Sequence, residues 1–241
     1  MKAIVTGHSR GLGEAVAQVL LSRGIAVLGL ARRHNMRLAK AYPELLQQEP
    51  IDLADAAALD TWLATPALKD FITGAPQVLL VNNAGTVHPV GAPGMQTTTA
   101  IAQAVALNIA APLMLTDALV TVAAGAALRI MHVSSGAGRS AYAGWSVYCA
   151  TKAALDHHAR AVQLDRVPNL RLCSLAPGII DTDMQADIRA AAIERFPMRG
   201  RFEQLKKEGL LVAPDDCARR LVDYLLAERF GTDAVADLRE S

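Results

Sequence analysis

The sequence predicts an α/β fold with one doubly wound parallel sheet and helices on both of its faces. Short β-branched and aliphatic runs recur along the chain, and longer Ala- and Leu-rich amphipathic stretches lie between them. Strands that alternate with helices are joined by right-handed crossovers, which make the strands parallel and cover both faces of the sheet. A chain of 241 residues is long enough for one such domain with a continuous core, so a single domain over residues 1–241 is expected.

Each predicted strand is bounded by Gly, Pro, Asn or Ser. The predicted strands are Ala3–Thr6, Ile25–Leu30, Val78–Asn82, Leu128–Ser134 and Leu170–Ala176. The predicted helices are Gly11–Arg23, Asp55–Asp70, Thr98–Ala123, Ser146–Asp165 and Pro214–Glu228. The segment from Met184 to Gly209 is expected to form a loop over the substrate pocket.

Composition limits the classes of partner. The chain has 24 Lys and Arg against 23 Asp and Glu, a formal net charge of +1, which favours neither nucleic acid nor a membrane surface. The first residues already belong to a predicted strand, which is not the layout of a signal peptide. No uninterrupted apolar stretch of membrane-spanning length is evident. A cytoplasmic protein with a small-molecule partner is expected.

The cysteines and histidines do not suggest a metal site. Cys149, Cys173 and Cys217 are an odd number and widely spaced, without the pairing of a disulfide framework or a zinc site. The adjacent His157 and His158 diverge by about 100° on a helix and cannot easily share one ion. No metal is therefore expected.

A glycine-rich turn follows the first predicted strand and opens the first helix. Its glycines permit close backbone approach to a pyrophosphate, and free N–H groups at the helix N-terminus favour an anion. The spacing G-x-x-x-G-x-G differs from the usual G-x-G-x-x-G, and an ordinary tight turn is the alternative. His8 within it could face solvent or contact a ribose. The expected cofactor contacts in this turn are Gly7, Ser9, Arg10, Gly11, Leu12 and Gly13.

The end of the second strand indicates which nicotinamide cofactor binds. An NAD site usually places an acid there, whereas this chain has Arg32 and Arg33. Guanidinium groups suit a 2′-phosphate, so NADP(H) is expected, and Arg10 could reach the same phosphate. The alternative is that both arginines are solvated surface residues. Asp52 and Leu53 are expected near the adenine ring.

Tyr148 and Lys152 are the candidate acid–base residues. They are spaced i, i+4 on a predicted helix and share one face, so the lysine could stabilise a phenolate. A Tyr and a Lys at this spacing also occur together by chance, so the surrounding sequence is the stronger evidence. Ser135 follows a predicted central strand shortly before this helix. Side chains at the end of such a strand point into the ligand crevice of a parallel sheet. Asn108 is an isolated amide in an apolar helix and needs a buried partner, either water or a backbone carbonyl.

The ordered set of these residues resembles the classical short-chain dehydrogenases/reductases, which have a Rossmann fold. The matching segments are Thr6-Gly7-xxx-Gly11-x-Gly13, Asn82-Asn83-Ala84-Gly85, Asn108, Ser135, Tyr148-xxx-Lys152 and Pro177-Gly178, with Thr182 following. The resemblance implies that Tyr148 transfers a proton, Ser135 holds the carbonyl, and Lys152 binds the nicotinamide ribose and lowers the tyrosine pKa. It implies a water on Asn108. It also implies cofactor contacts at Asn83, Ala84, Gly85, Pro177, Gly178, Ile180 and Thr182.

Within that family, three stretches are similar to the sepiapterin reductase and benzil reductase branch: Gly144–Ala150, Asp181–Gln185 and Leu205–Leu211. This similarity implies NADPH-dependent reduction of a vicinal dicarbonyl or a related ketone. It places Trp145 and Met184 near the substrate and allows Asp237 as a substrate anchor.

Other interpretations of function remain open. A 3-oxoacyl-thioester reductase would need a basic entrance, which Arg195, Arg199 and Arg201 could provide. A non-catalytic NADP(H)-sensing protein is a further alternative. The resemblance also implies a homodimer, or a tetramer, formed through the helices Thr98–Ala123 and Ser146–Asp165.

Overall fold

The computed structural model describes residues 1–123 and 125–240; Ala124 and Ser241, which the predicted domain includes, lie outside the described residues. The strands are β1 Lys2–Thr6, β2 Ala26–Ala31, β3 Leu46–Pro50, β4 Gln77–Asn82, β5 Ala127–Val133, β6 Leu170–Ala176 and β7 Val235–Asp237. They form one parallel sheet in the order β3-β2-β1-β4-β5-β6-β7. The predicted doubly wound α/β class is therefore confirmed.

Helices connect the strands and cover the sheet. They are α1 Gly11–Ser22, α2 Met36–Ala41, α3 Ala56–Leu63, α4 Ala67–Ile72, α5 Thr98–Val105, α6 Ala111–Val122, α7 Ser146–Asp165, α8 Asp183–Ala190, α9 Arg199–Lys207 and α10 Pro214–Leu226. A π-helical turn, Ala106–Ala110, joins α5 to α6, and a 3₁₀ turn, Gly136–Gly138, follows β5.

The central strands are buried on both faces, which explains their continuous apolar sequences. Alternate residues of β1 belong to different cores: Ala3 and Val5 pack with α1 and α10, whereas Ile4 packs with α6 on the opposite face. This alternation is the two-residue period of a strand. The sheet thus separates two hydrophobic cores.

The ligand crevice is positioned where the strand order reverses. β1 pairs with both β2 and β4, and the chain leaves β1 and β4 in opposite directions across the sheet. Side chains and loops after the carboxyl ends of β1, β4, β5 and β6 meet at this point. The candidate site residues lie in those loops.

All five predicted strands are present, but two edge strands were missed. β3 has the sequence Leu-Gln-Gln-Glu-Pro, which lacks an apolar pattern and forms because its backbone pairs with β2. β7 has only three residues. The predicted helix Asp55–Asp70 is two helices, because Pro66 disfavours helical backbone at the residue before it.

The predicted substrate loop Met184–Gly209 is largely helical. α8 and α9 occupy most of it, and their charged, exposed faces gave no clear amphipathic signal. Each helix is held by a few buried side chains, among them Ile188 and Phe202. The segment is therefore a structured cover over the crevice.

One helical stretch corrects the sequence-based expectation about apolar length. Thr98–Val122 has 25 residues, and an 18-residue window within it has a mean hydropathy of 1.7, enough by length and composition to cross a membrane. In the fold, Ala111, Leu115 and Leu119 of this stretch pack in the core against the sheet. A core helix meets the same criteria, so the stretch does not by itself indicate a membrane span.

Candidate active site

The glycine-rich turn brings the start of α1 unusually close to the end of β1. A Cβ on Gly13 would lie 2.2 Å from the carbonyl oxygen of Gly7, and Gly7 itself has a φ of +71°. Arg10 precedes α1, and its side chain does not cap the helix N-terminus. The N–H groups of the first turn, from Gly11, Leu12 and Gly13, are thus in the arrangement that binds phosphate oxygens.

Hydrogen bonds to Thr6 join this turn to the end of β4. The Thr6 hydroxyl accepts from the backbone N–H groups of Asn83 and Ala84, both at 2.9 Å, and Asn83 Nδ2 donates to the Thr6 carbonyl at 2.9 Å. The Asn83 side chain therefore links the end of β4 to the end of β1. At Gly85, a Cβ would lie 3.3 Å from Asn108 Oδ1 and 3.6 Å from Lys152 Nζ, so this loop reaches two of the candidate catalytic side chains.

His8 is buried, which corrects the expectation that it faces solvent or a ribose. It is 1% exposed, its Nε2 lies 2.7 Å from Gln48 Oε1, and its ring occupies the space that a side chain on Gly29 would need. Burial lowers its pKa. Gln48 lies in β3, one of the two edge strands that the sequence did not predict. Asn35 Nδ2 donates to the carbonyl of Ser9 at 3.4 Å, so both flanks of the turn are fixed.

Two exposed guanidinium groups follow β2. Within residues 1–123 and 125–240, neither Arg32 nor Arg33 forms an ion pair with a carboxylate. Arg10 instead lies 3.2 Å from Asp183 of α8, and both of these side chains are exposed. The Ile51 N–H donates to the Ala31 carbonyl at 2.9 Å.

That backbone bond places the residues after β3 beside the arginines. Asp52 is exposed and accepts from the N–H of Ala54, whereas Leu53 is buried at 4% exposure. The predicted adenosine-side residues are thus brought together at one corner of the crevice.

Tyr148 and Lys152 lie on α7 and are both buried, at 8% and 5% exposure. Lys152 Nζ lies 5.7 Å from the centroid of the Tyr148 ring and donates to the carbonyl of Val133 at 2.8 Å. The lysine therefore joins α7 to the end of β5.

Burial controls the protonation of this pair. It raises the pKa of Tyr148 to about 12, with hydrogen bonding to Ser135 acting in the opposite direction. It lowers the pKa of Lys152 to about 8, while the Asp156 carboxylate acts to raise it. The resemblance implies that Lys152 lowers the tyrosine pKa, whereas in this structure burial raises it. At neutral pH Tyr148 keeps its proton, as a proton donor must.

Ser135 begins the 3₁₀ turn at the end of β5. Its backbone is extended, and its Oγ accepts from the N–H of Ala137 at 3.1 Å. A hydroxyl that accepts one hydrogen bond still has a proton to donate. Ser135 can therefore offer that proton to an oxygen held beside Tyr148.

Asn108 lies in the π-helical turn between α5 and α6, and it is 1% exposed. Its Nδ2 donates to the Thr86 carbonyl at 2.8 Å and to Thr151 Oγ1 at 3.1 Å, and its Oδ1 accepts from the Thr86 N–H at 2.9 Å. The backbone carbonyl is one of the two partners that the sequence predicts. Single π turns within helices are frequent at functional sites.

The loop after β6 closes the crevice from the other side. Pro177 is buried, and Gly178 has a φ of +89°. Ile180 forms a bridge with Val212. The Thr182 methyl group lies 3.7 Å from where a Cβ on Gly11 would be, so this loop faces the glycine turn.

Aromatic side chains form a buried cluster beside Tyr148. Trp145 contacts the Tyr148 ring edge-on at 5.3 Å and stacks on Phe196 at 4.6 Å, with Phe202 at 5.3 Å. Met184 packs against the same cluster. The structure brings the predicted Trp145 and Met184 together, and it adds Phe196 and Phe202, which carried no sequence signal.

Asp237, the other predicted substrate residue, is engaged by arginines. Its carboxylate accepts from Arg239 at 2.9 and 2.7 Å, and Arg139 lies 3.8 Å away. These contacts lower the pKa of Asp237, the hydrogen bond from Arg239 contributing most. The carboxylate is therefore already compensated by positive charge.

A cavity of about 550 Å³ opens beside the aromatic cluster, a size typical of small-molecule sites. Polar side chains line part of it, including His88, Gln96, Asp187 and Arg195. Val90 lines it too and belongs to the same apolar cluster as Tyr148. The cavity is thus linked through Val90 to the cluster that contains Tyr148, but Tyr148 is not one of its lining residues.

Known proteins of one oxidoreductase family are similar to this chain in sequence and in fold. A family model described as short chain dehydrogenase matches residues 1–193. A benzil reductase ((S)-benzoin forming) from Bacillus cereus is 34% identical, with 98% of each chain covered. Sepiapterin reductase from Meriones unguiculatus is 31% identical over 99% of this chain and 96% of its own. A short-chain dehydrogenase/reductase crystal structure from Burkholderia vietnamiensis shares 48% identity and a TM-score of 0.73, covering 99% and 96%. This chain belongs to the short-chain dehydrogenases, a family of NAD(P)(H)-dependent oxidoreductases.

Proposed function

We propose that this protein is an NADPH-dependent carbonyl reductase in which Tyr148 is the proton donor. The observation that carries this proposal is the buried, protonated phenol beside Lys152 and Ser135 in the ligand crevice. A donor of this kind suits the reduction of a ketone or aldehyde, because the carbonyl oxygen gains negative charge as the reaction proceeds.

The residues around the crevice fit a dinucleotide. The close approach of Gly13 to Gly7 and the uncapped start of α1 suit a pyrophosphate. Arg32 and Arg33 suit a 2′-phosphate because their charges are not paired with carboxylates among the described residues. When bound, the nicotinamide supplies the hydride.

The protein side chains would then protonate and stabilise the carbonyl oxygen of the substrate. Tyr148 donates its proton to the developing alkoxide, and the Ser135 hydroxyl donates a hydrogen bond to the same oxygen. The Lys152 ammonium, in the same buried space, stabilises the phenolate that remains. Each group acts without moving far, since all three are held by α7 and the end of β5.

A vicinal diketone with an aryl group is the substrate class that the pocket favours. Trp145, Phe196 and Phe202 form a buried apolar cluster beside Tyr148. The cavity that Val90 links to this cluster is large enough to hold an aryl ring. A benzil reductase is among the relatives. Pterin anchoring through Asp237 is less favoured, because arginines already hold that carboxylate.

We expect NADPH oxidation with benzil to exceed that with acetophenone by about tenfold or more in kcat/KM, since a second aryl group adds buried contact area. Absorbance decay of NADPH measures both. Sepiapterin, quinones and a 3-oxoacyl thioester complete the screen. NADPH oxidation with none of these carbonyls would contradict catalysis and favour the NADP(H)-sensing alternative.

A basic entrance for an acyl-thioester carrier is less favoured. Arg195 donates to the Met95 carbonyl at 3.3 Å, and Arg199 pairs with Glu203 at 3.0 Å. Two of the three candidate arginines are therefore engaged within the fold. Selective turnover of the thioester in the same screen would reverse this preference.

We also propose that the protein forms a homodimer through α5, α6 and α7. Val105 on α5 is 41% exposed and Leu164 on α7 is 82% exposed, although both are apolar. Ala150 and Ala153 are small, exposed residues on α7 that permit close helix contact. Light scattering at micromolar concentration should give a mass of two chains, or of four if dimers pair. A single-chain mass would contradict the proposal.

A further inference from the structure

Asp156 is a buried carboxylate that the reaction as described does not use. It lies on α7, one helical turn after Lys152, and is 1% exposed. Burying a charged carboxylate costs several kcal/mol unless it is paired and hydrogen-bonded. The contacts of Asp156 must therefore compensate its charge.

The carboxylate is fully engaged by three neighbouring elements. Its Oδ1 accepts from the hydroxyls of Ser134 at 2.8 Å and Ser174 at 2.6 Å. Its Oδ2 accepts from Arg139 Nε at 3.2 Å. Ser134 follows β5 and directly precedes Ser135, Ser174 lies in β6, and Arg139 ends the 3₁₀ turn.

This arrangement fixes the catalytic side chains relative to one another. Tyr148, Lys152 and Asp156 recur every four residues, so they share one face of α7. Asp156 ties this face to the strand end that carries Ser135. Any slip of the helix along β5 would have to break the bonds to both serines.

We propose that Asp156 is a positioning residue of the reductase site: its buried carboxylate fixes α7 against the strand end that carries Ser135 and keeps Lys152 positively charged. This inference rests on the proposed reductase function. It assigns Asp156 no contact with substrate or cofactor.

The charges around Lys152 support the second part of the proposal. From α7, Asp156 raises the pKa of Lys152 against the lowering caused by burial. From β5, His132 has a pKa lowered to about 3, so it is neutral. The phenol of Tyr148 is protonated. Among the residues that the structure describes, Asp156 is thus the anion that acts on the lysine.

Arg139 forms an ion pair with the same carboxylate, at 3.2 Å. Besides Asp156 it binds the Ala236 carbonyl at 2.9 Å and lies 3.8 Å from Asp237 on β7. Removing the Asp156 charge should lower the pKa of Lys152, whereas removing the Arg139 charge should raise it. These opposite signs distinguish an electrostatic role from a purely structural one.

The test measures the pKa of Lys152 in the cofactor-free protein by NMR titration of its labelled side-chain signal, assigned by its loss in Lys152→Arg. We expect Asp156→Asn to lower this pKa by about one unit and Arg139→Gln to raise it by about half a unit. Ser174→Ala, which removes one hydrogen bond and no charge, should change it by less than about 0.3 unit.

Reductase activity gives the second measurement. The ammonium form is present below the pKa of Lys152, so a lower pKa means that kcat is lost at a lower pH. In Asp156→Asn the alkaline limb of kcat should move down by about one pH unit, while NADPH affinity at pH 6 changes less than threefold. In Arg139→Gln the limb should move up.

The outcomes separate this inference from the proposed function. An unchanged Lys152 pKa in Asp156→Asn overturns the inference even if the enzyme reduces diketones normally. A wild-type protein that oxidises no NADPH refutes the proposed function, whatever the titration gives. If Asp156→Asn does not fold, the upward shift in Arg139→Gln decides, and its absence overturns the inference.

Discussion

Replacing Tyr148 with Phe is expected to lower kcat by about a thousandfold or more, because the phenolic proton donor is lost. The phenylalanine ring keeps the edge-on contact with Trp145, so the fold and the cofactor crevice should be preserved. NADPH absorbance decay measures turnover, and NADPH fluorescence titration measures binding. Cofactor affinity should stay within about twofold of wild type.

A matched control removes a phenol elsewhere. Tyr42 is the C-cap of α2 and packs against the opposite end of the sheet, so Tyr42→Phe should leave kcat unchanged. If Tyr148→Phe retained more than about a tenth of the activity, another group would have to supply the proton. The assignment of Tyr148 would then be wrong.

Changing Arg32 and Arg33 to Ala together is expected to weaken NADPH binding by about a hundredfold or more. Each hydrogen bond to a charged group contributes roughly 1.5–3 kcal/mol, and 1.4 kcal/mol is a factor of ten in affinity. NADH lacks the 2′-phosphate, so its affinity should change less than about threefold. Fluorescence titration with both cofactors measures the two affinities.

Arg37 provides the control for this pair. It lies on α2, close in sequence, but its guanidinium binds Glu14 at 2.8 Å and Gln18 at 2.6 Å. Arg37→Ala should therefore affect NADPH and NADH alike. Equal weakening of both cofactors by the Arg32 and Arg33 substitutions would refute the phosphate assignment and leave these arginines as solvated surface residues.

Local patterns in the sequence were sufficient for the central strands, the glycine turn and the acid–base pair. The five inner strands are continuous apolar runs because both faces of a parallel sheet are buried. Tyr148 and Lys152 share a face because helix geometry brings residues i and i+4 together. These relations depend only on residues that are close in the chain, so the sequence alone predicts them.

Contacts between distant segments decided the rest. β3 forms because its backbone pairs with the edge of β2. His8 is buried because Gly29 leaves space for its ring and Gln48 forms a hydrogen bond with it. Asp237 faces Arg139, which lies 98 residues earlier in the chain.

Asp156 shows the same division within one helix. Its spacing from Lys152 is visible in the sequence, but its partners Ser134, Ser174 and Arg139 come from other elements. The sequence by itself determined that Tyr148 and Lys152 share one face of a helix. Only the tertiary structure decided which buried charge lies on that face with its partners in place, because burial and pairing arise when the strands and helices pack together.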